Sequence, residues 1–296
     1  MNFDEMTAQI ASGDGFIAAL DQSGGSTPKA LRGYGVEDDE WDGDTEMFAK
    51  IHEMRSRVIT SPSFGGGKVI GAILFERTMD GDVDGKTTPD ALKARGVVPF
   101  IKVDQGLQDE ANGVQLMKPL DKLPTLLEKS VAKGMFGTKM RSVIKSANTD
   151  GIAAIVEQQF AVGNQIADAG LMPMLEPEFD ITAADRAAGE QILLGEIMKG
   201  LDGLPEGRKV MLKLSLPVEA GLYGPAIAHP NVLRVVALSG GYSTGDACEH
   251  LAKNPGMIAS FSRGLLQDLR KGQSDAEFDG VLGTAIDQIA CASAAG

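Results

Sequence analysis

The stretch VMLKLSL, residues 210–216, places one lysine inside an otherwise apolar run. Such a run is typical of a buried strand, whose side chains alternate between two faces. The two faces would carry Val210, Leu212 and Leu214 on one side and Met211, Lys213 and Ser215 on the other. An ammonium group buried in a strand is costly, so Lys213 needs an ion-pair partner or a chemical role. Enzymes use such lysines because desolvation and nearby cations leave a neutral, nucleophilic amine.

Seven other short runs along the chain also have the character of strands. Together with the first stretch they span residues 16–21, 69–76, 99–104, 136–141, 172–178, 210–216, 233–241 and 257–264. Segments with helical periodicity separate most of them, and the clearest span residues 46–59, 123–133, 151–169, 183–199, 246–253 and 275–292. Nearly continuous apolar strands that alternate with helices indicate a parallel sheet covered by helices. Eight such units predict an α/β fold, a (β/α)8 TIM barrel, as one catalytic domain over residues 1–296.

Almost every predicted strand ends in a polar or charged residue. These residues are Asp21, Glu76, Lys102, Lys139 with Arg141, Glu176, Lys213, Ser239 and Arg263. Barrel enzymes carry their chemistry at the carboxyl ends of the strands, so we expect these side chains to converge. Several of them are cations, although the chain has a net charge of -13. A local cation cluster in an acidic protein indicates an anionic ligand, and the overall charge argues against nucleic acid as a partner.

Two regions have the composition of phosphate-binding loops. The first comprises LSGG, with Ser239, Gly240 and Gly241, and FSRGLLQDL, with Arg263 and Gly264. Glycine lets a phosphate approach the backbone N–H groups closely, and barrels often bind phosphate after strands seven and eight. The second region is DQSGGSTPKAL, which supplies Ser23, Gly24, Gly25, Ser26 and Lys29. Together with Lys213, two such regions favour a phosphorylated substrate.

The sequence indicates neither a metal site nor a membrane-spanning segment. The three histidines, His52, His229 and His250, are far apart and none follows a predicted strand, so we expect neither a metal nor another cofactor. Cys248 and Cys291 lack metal or redox spacing, which fits a reducing, cytoplasmic location. The amino-terminal residues are acidic and differ from a secretory leader, and no apolar run approaches the ~18 residues of a membrane span.

Seven segments of the chain carry a family resemblance. They are ALDQSGGST, GVVPFIKVDQG, GTKMR, MLEPE, KLSLP, ALSGG and FSRGLLQ, in this order. Over essentially its whole length the sequence resembles class I fructose-bisphosphate aldolases of the shorter bacterial type. The resemblance implies reversible cleavage of fructose 1,6-bisphosphate into dihydroxyacetone phosphate and glyceraldehyde 3-phosphate, in glycolysis and gluconeogenesis, without metal.

The resemblance also implies roles for individual residues. Lys213 matches the lysine that forms a Schiff base with the C2 ketone. Glu176 matches the general acid and base for carbinolamine dehydration, and Glu178 would support it. Asp21 matches the carboxylate beside the C4 hydroxyl, and Lys139 the cation that polarises the carbinolamine oxygen. The C1 phosphate site would include Ser239, Gly240 and Arg263, with Gly241 and Gly264 beside them; other substrate contacts would come from Ser23, Ser26, Lys102 and Arg141.

Three questions stay open at the level of sequence. Vertebrate-type members end in a tyrosine-bearing tail that aids proton exchange on the enamine, whereas this sequence ends in CASAAG, so the proton donor is undefined. Another Schiff-base barrel, transaldolase-like or acting on a keto acid, is the first alternative, and a phosphate-binding barrel without turnover is the second. Family members are commonly homo-oligomers, but exposed helix faces do not reveal an interface.

Overall fold

The computed structural model describes residues 1–23 and 25–296. Gly24, one of the glycines in the predicted amino-terminal phosphate loop, lies outside the described residues. The eight predicted strands are present as β1 (Phe16–Leu20), β2 (Val69–Leu74), β3 (Val98–Lys102), β4 (Gly137–Ile144), β5 (Met172–Phe179), β6 (Val210–Ser215), β7 (Val232–Leu238) and β8 (Met257–Ala259). All neighbours pair in parallel and in chain order. The barrel nearly closes between β1 and β8, where the Ala19 amide donates a hydrogen bond to the Phe261 carbonyl at 3.2 Å. The predicted TIM barrel is confirmed.

The helices surround the barrel or cover its ends. They are α1 (Phe3–Ser12), α2 (Ser26–Tyr34), α3 (Gly43–Thr60), α4 (Glu76–Asp80), α5 (Thr88–Ala94), α6 (Leu123–Ala132), α7 (Thr149–Asp168), α8 (Arg186–Asp202), α9 (Gly224–Ile227), α10 (Thr244–Leu251), α11 (Arg263–Leu266) and α12 (Asp275–Ala295). Two-residue strands form a hairpin at Asp82–Val83 and Lys86–Thr87, and Val114–Gln115 pairs antiparallel with β4. Among the helices that the structure describes, none has the length and hydropathy that crossing a bilayer requires.

Helix α8 begins three residues later than the sequence predicts. Its N-cap is Asp185, and the Thr182 hydroxyl instead donates to Asp180 at 2.7 Å. The Thr182 amide also donates to Asp180, at 3.0 Å, so a local turn competes with the helix for this threonine. The segment 180–185 is therefore a loop that lies at the carboxyl end of β5, beside the strand ends that carry the charged residues.

The strand alternation predicted from VMLKLSL is present. Met211 packs in the barrel interior with the other inward residues, while Leu212 and Leu214 belong to the layer between strands and helices. The interior cluster comprises Ile17, Ala19, Ile70, Ile73, Val98, Phe100, Phe136, Met172, Met174, Met211, Val236 and Ile258. Helix α1 closes the amino end of this interior with Met6 and Ile10. The apolar side chains thus fill one end of the barrel and leave the other end for polar groups.

Candidate active site

The charged residues reach the barrel interior because each continues the inward alternation of its strand. Two residues beyond Met211 on β6 comes Lys213, and two beyond Met174 on β5 comes Glu176. Lys139 lies two residues beyond Gly137 at the start of β4, and Asp21 two residues beyond Ala19 at the end of β1. On each strand, the inward-facing residue two positions after the apolar one is therefore charged, and these residues form a polar layer at the carboxyl ends.

Four of these side chains form one series of alternating charge. Lys139 Nζ lies 2.6 Å from Asp21 Oδ2 and 2.9 Å from Glu176 Oε2. Lys213 Nζ lies 3.0 Å from Glu176 Oε1. Lys139 is 3% exposed, Glu176 3% and Lys213 4%, so their attraction acts with little screening by water. Glu176 is the carboxylate that contacts both lysines.

The charges in this series hold one another in the ionised form. Burial alone would raise the pKa of Asp21, but Lys139 and Lys213 hold that pKa well below its usual range. Burial alone would lower the pKa of Lys139, but Asp21 and Glu176 hold it well above its usual value. Glu176 Oε2 is buried, lies 2.9 Å from Lys139 Nζ, and accepts no hydrogen bond from any residue that the structure describes. That oxygen is free to accept a hydrogen bond from a substrate hydroxyl or a water.

Two further ion pairs border the series. Arg141 Nε donates to Glu178 Oε2 at 2.5 Å; burial alone would lower the pKa of Arg141, but the Glu178 carboxylate holds that pKa above its usual value. Lys102 Nζ donates to Asp104 Oδ1 at 2.5 Å, and the Arg141 amide donates to Asp104 Oδ2 at 3.1 Å. The predicted cations do converge, but Lys102, Lys139 and Arg141 each have a carboxylate partner.

A cavity of about 730 Å³ opens at the carboxyl ends of the strands. Its lining includes nearly every residue that the sequence predicts for the site: Asp21, Ser23, Ser26, Lys102, Lys139, Arg141, Glu176, Glu178, Lys213, Ser239, Gly240, Gly241 and Arg263. Glu76 and Gly264 are exceptions. Glu76 begins α4 and pairs with Lys129 of α6 at 3.0 Å, away from the cavity. Gly264 packs against α10. A Cβ atom there would lie 3.1 Å from the Thr244 hydroxyl, so the glycine permits close packing of α11 and is not part of the cavity wall.

The two predicted phosphate regions lie in the same cavity. Gly240 and Gly241 have φ angles of 60° and 120°, a backbone that side chains disfavour, and they leave the loop after β7 open to a ligand. Arg263 and Lys29 both line the cavity, and neither forms an ion pair with any residue that the structure describes. The Ser26 hydroxyl is already used within its turn, where it donates to the Ser23 carbonyl at 2.9 Å. Unpaired cations beside glycine and serine backbone are suited to phosphate.

Sequence analysis missed several residues of the site. Asp104 ends the predicted strand 99–104 without a predicted role, yet its carboxylate accepts hydrogen bonds from Lys102 Nζ and from the Arg141 amide. Arg55, on α3, is fully buried and donates from Nη2 to the Gln22 carbonyl at 2.5 Å and from Nη1 to the Thr78 hydroxyl at 2.7 Å. Burial lowers the pKa of Arg55 to about 10, although the charge of Asp21 opposes the change. The sequence feature that could have indicated this role is an arginine among the apolar residues of the predicted helix 46–59. Ser260 also lines the cavity, and its buried hydroxyl has no hydrogen-bond partner among residues 1–23 and 25–296.

The histidines and cysteines lie away from the cavity. Within the described residues, no group of three or more histidine, cysteine or acidic side chains is arranged to hold a metal ion. His52 contacts the Asp82 carbonyl, His229 contacts Asp202, and the His250 ring stacks on Tyr242. The carboxyl-terminal residue, Gly296, lies beside the start of β8, where a Cβ atom would be 2.9 Å from the Met257 carbonyl. Residue 296 is thus at the amino end of the barrel, opposite the cavity.

Comparisons with known proteins identify a family for the chain and support its fold. The sequence model of the family described as "Fructose-bisphosphate aldolase class-I" matches residues 3–187, more than half of the chain. The structure of fructose-bisphosphate aldolase from Plasmodium falciparum, determined with TRAP and a small-molecule inhibitor, matches with a TM-score of 0.78 and 19% identity, over 99% of this chain and 95% of that one. The protein Cgl0159 from Corynebacterium glutamicum matches with a TM-score of 0.54 and 16% identity, over 98% and 92% of the two chains. At these identities the structural likeness shows the fold alone.

Proposed function

The chain belongs to the class I fructose-bisphosphate aldolase family, and we propose that Lys213 is the amine through which it works. The enzyme is a lyase that reversibly cleaves fructose 1,6-bisphosphate into dihydroxyacetone phosphate and glyceraldehyde 3-phosphate, a step of glycolysis. The observation that carries the proposal for Lys213 is its place in the buried Asp21–Lys139–Glu176–Lys213 series at the carboxyl ends of the strands.

Formation of the Schiff base requires a neutral amine and an acid. Lys213 attacks the C2 carbonyl, and the resulting carbinolamine loses water to give an iminium that is covalently bound to Nζ. Glu176 lies 3.0 Å from Nζ, so its carboxyl group can take the ammonium proton and return it to the departing hydroxyl. Lys139, which contacts the other oxygen of Glu176, stabilises negative charge that develops on the carbinolamine oxygen.

Cleavage of the C3–C4 bond then needs a base at the C4 hydroxyl. Asp21 has this role, because its low pKa keeps the carboxylate ionised and Lys139 fixes its orientation at 2.6 Å. As the hydroxyl proton leaves, the bond electrons move into the iminium, and the aldehyde product departs from an enamine on Lys213. Protonation of that enamine at C3 and hydrolysis release dihydroxyacetone phosphate and restore the amine.

The substrate contacts follow from the position of the unpaired cations. We assign the C1 phosphate to Ser239, Gly240, Gly241 and Arg263, and the second phosphate to the region of Ser23 and Ser26, beside Lys29. Lys102 and Arg141 would contact substrate oxygens while they remain paired with Asp104 and Glu178.

The family works without a metal ion, and we propose the same for this chain. We also propose a cytoplasmic location, which the free thiols of Cys248 and Cys291 support. The net charge of -13 supports a small anionic substrate rather than nucleic acid as the partner. A homo-oligomer is compatible with the exposed helix faces, and sedimentation of the purified protein would measure its state.

Covalent trapping tests the role of Lys213. Borohydride reduction with dihydroxyacetone phosphate should add one substrate-derived group at Lys213, and Lys213→Met should abolish both the adduct and cleavage. Lys209→Met is the matched control, because Lys209 precedes the same strand and donates to the Pro230 carbonyl on the outside of the cavity. An adduct that persists in Lys213→Met, or cleavage at the wild-type rate, would contradict the proposal. Turnover of a keto acid in place of the bisphosphate would favour the other class of Schiff-base barrel.

A further inference from the structure

A buried ion pair lies just outside the cavity, on the first turns of α8. Arg186 Nε donates to Glu190 Oε1 at 2.7 Å, and the two residues are 4% and 0% exposed. A pair of charges at such depth contributes little net stability, because removing both groups from water costs about as much as their attraction returns. The segments that the pair holds in place therefore explain it better than its contribution to stability does.

Arg186 and Glu190 hold the segments that follow two catalytic strands. Arg186 Nη2 donates to the Leu216 carbonyl, which comes directly after β6 and three residues after Lys213. Arg186 Nη1 donates to the Tyr242 hydroxyl at 3.1 Å, and Tyr242 follows the loop 239–241 that we assign to the C1 phosphate. Glu190 Oε2 accepts a hydrogen bond from the Val218 amide at 2.8 Å. One guanidinium therefore connects the strand of the reactive amine with the phosphate loop.

The phosphate loop is held from other directions as well. A Cβ atom at Gly240 would lie 2.7 Å from Ile181, a residue of the loop after β5, so the two loops are in close contact. The Tyr242 ring stacks on the His250 ring of α10 at a centroid distance of 4.8 Å. The ring of Tyr242 is thus fixed by α10, and its hydroxyl is the group through which Arg186 acts on the loop.

We propose that Arg186, through the Tyr242 hydroxyl, is a positioning residue that sets the place of the loop 239–241 relative to Lys213. This inference rests on the assignment of that loop to the C1 phosphate under the proposed function. Neither Arg186 nor Tyr242 lines the cavity, so neither is a catalytic residue. Their contacts determine how well a ketose that carries phosphate at C1 fits when its C2 carbonyl meets the amine.

The consequence separates the two phosphorylated substrates of the reverse reaction. Dihydroxyacetone phosphate places its phosphate in the loop that Tyr242 supports, whereas glyceraldehyde 3-phosphate places its phosphate near Ser23 and Ser26. Loss of the Tyr242 hydroxyl should therefore weaken the binding of the first substrate and leave the second unchanged. A general loosening of the barrel would affect both.

Tyr242→Phe is the test, because it removes the hydroxyl and keeps the ring on His250. We expect KM for dihydroxyacetone phosphate to rise about fivefold, the usual effect of one lost hydrogen bond, with kcat and KM for glyceraldehyde 3-phosphate unchanged. Tyr223→Phe is the matched control: the Tyr223 hydroxyl is buried beside the same ion pair but has no hydrogen-bond partner in the described part of the chain, so its loss should leave both constants at wild-type values. Arg186→Lys should raise the same KM and should also lower kcat, because it removes the hydrogen bond to the Leu216 carbonyl, which follows the strand of Lys213.

Two results would overturn the inference. One is an unchanged KM for dihydroxyacetone phosphate in Tyr242→Phe. The other is an equal rise in both KM values together with a lower melting temperature, which would mean that the contact is only structural. Failure of the aldolase assignment itself would look different, because the wild-type enzyme would then give no borohydride adduct at Lys213, whatever Tyr242→Phe does.

Discussion

Replacing Lys139 with methionine removes the central positive charge of the buried series and shortens the side chain by only one atom. Asp21, 2.6 Å away, and Glu176, 2.9 Å away, would then share only the charge of Lys213. Removing one partner of a buried ion pair typically costs about 3–5 kcal/mol of unfolding free energy, because a charge stays buried without compensation. The pKa of Asp21 should rise in the variant, since Lys139 is the first of the charges that lower it.

Lys145→Met is the matched control for burial. Lys145 Nζ lies 2.9 Å from Asp180 Oδ2, the same distance that separates Lys139 from Glu176, but the two side chains are 35% and 26% exposed. Exposed pairs contribute about 0–1 kcal/mol. If burial decides the outcome, the two variants should differ by about 2 kcal/mol or more although the contact distances match.

Urea unfolding at pH 7, followed by circular dichroism, gives both free energies, and kcat is measured on the same preparations. We expect Lys139→Met to lower kcat about 10²–10³-fold, the usual effect of losing one preorganised charge at a reacting oxygen, and Lys145→Met to leave kcat unchanged. The double variant Lys139→Met with Asp21→Asn should recover part of the stability, because the unpaired carboxylate is neutralised, but none of the activity. Equal costs for the two single variants would refute the argument from burial.

Three further outcomes are expected. The pKa of Asp21 lies below its usual 3.8, so its contribution to stability is present above that pH and is lost as the pH falls through the lowered value. In urea titrations, the difference in unfolding free energy between wild type and Asp21→Asn should therefore be constant near neutral pH and become smaller below about pH 4. A difference that grew larger in acid would contradict this sign. Gly240→Ala forces a side chain into a left-handed backbone against Ile181, so we expect a loss of about 1–2 kcal/mol of unfolding free energy and a higher KM for fructose 1,6-bisphosphate. Gly195→Ala is the control: Gly195 lies on α8 with open space around it and does not line the cavity, so this change should cost no stability and leave KM unchanged. EDTA should leave the cleavage rate unchanged, and a loss of activity that zinc restores would contradict the metal-independent mechanism.

The position of Lys213 could be predicted because it depends on local information. A strand has a period of two, so a single apolar run fixes which of its side chains share a face. The structure bears this out: Met211 lies in the barrel interior and Lys213 follows it on the same face, at the polar end. The same argument holds for Lys139 and Glu176, whose strands carry their own inward neighbours. Convergence at the carboxyl ends then follows from the parallel order of the barrel.

Pairing across strands could not be predicted, because it depends on register and on loops that the local pattern does not encode. The sequence shows Lys102, Lys139 and Arg141 as a cluster of cations, but the register sets Arg141 opposite Glu176 on β5 and leaves its guanidinium to Glu178. Lys102 bends back to Asp104, two residues later in the chain. The cluster is therefore largely neutralised, and the attraction for phosphate comes from Arg263 and Lys29, which line the cavity and form no ion pair with any residue that the structure describes.

Two buried arginines, Arg55 and Arg186, also depend on contacts between residues that are distant in sequence, which the local pattern does not predict. Arg55 on α3 and Arg186 on α8 are distant in sequence from the strand ends that they support. Each is buried and donates a hydrogen bond to a backbone carbonyl near a proposed catalytic residue. Gln22, held by Arg55, follows Asp21, and Leu216, held by Arg186, follows β6. Burying a guanidinium is justified physically only where carbonyls would otherwise lack partners or where a fixed geometry is required. Both arginines meet the second condition under the proposed mechanism, which requires Asp21 and Lys213 to keep fixed positions relative to each other.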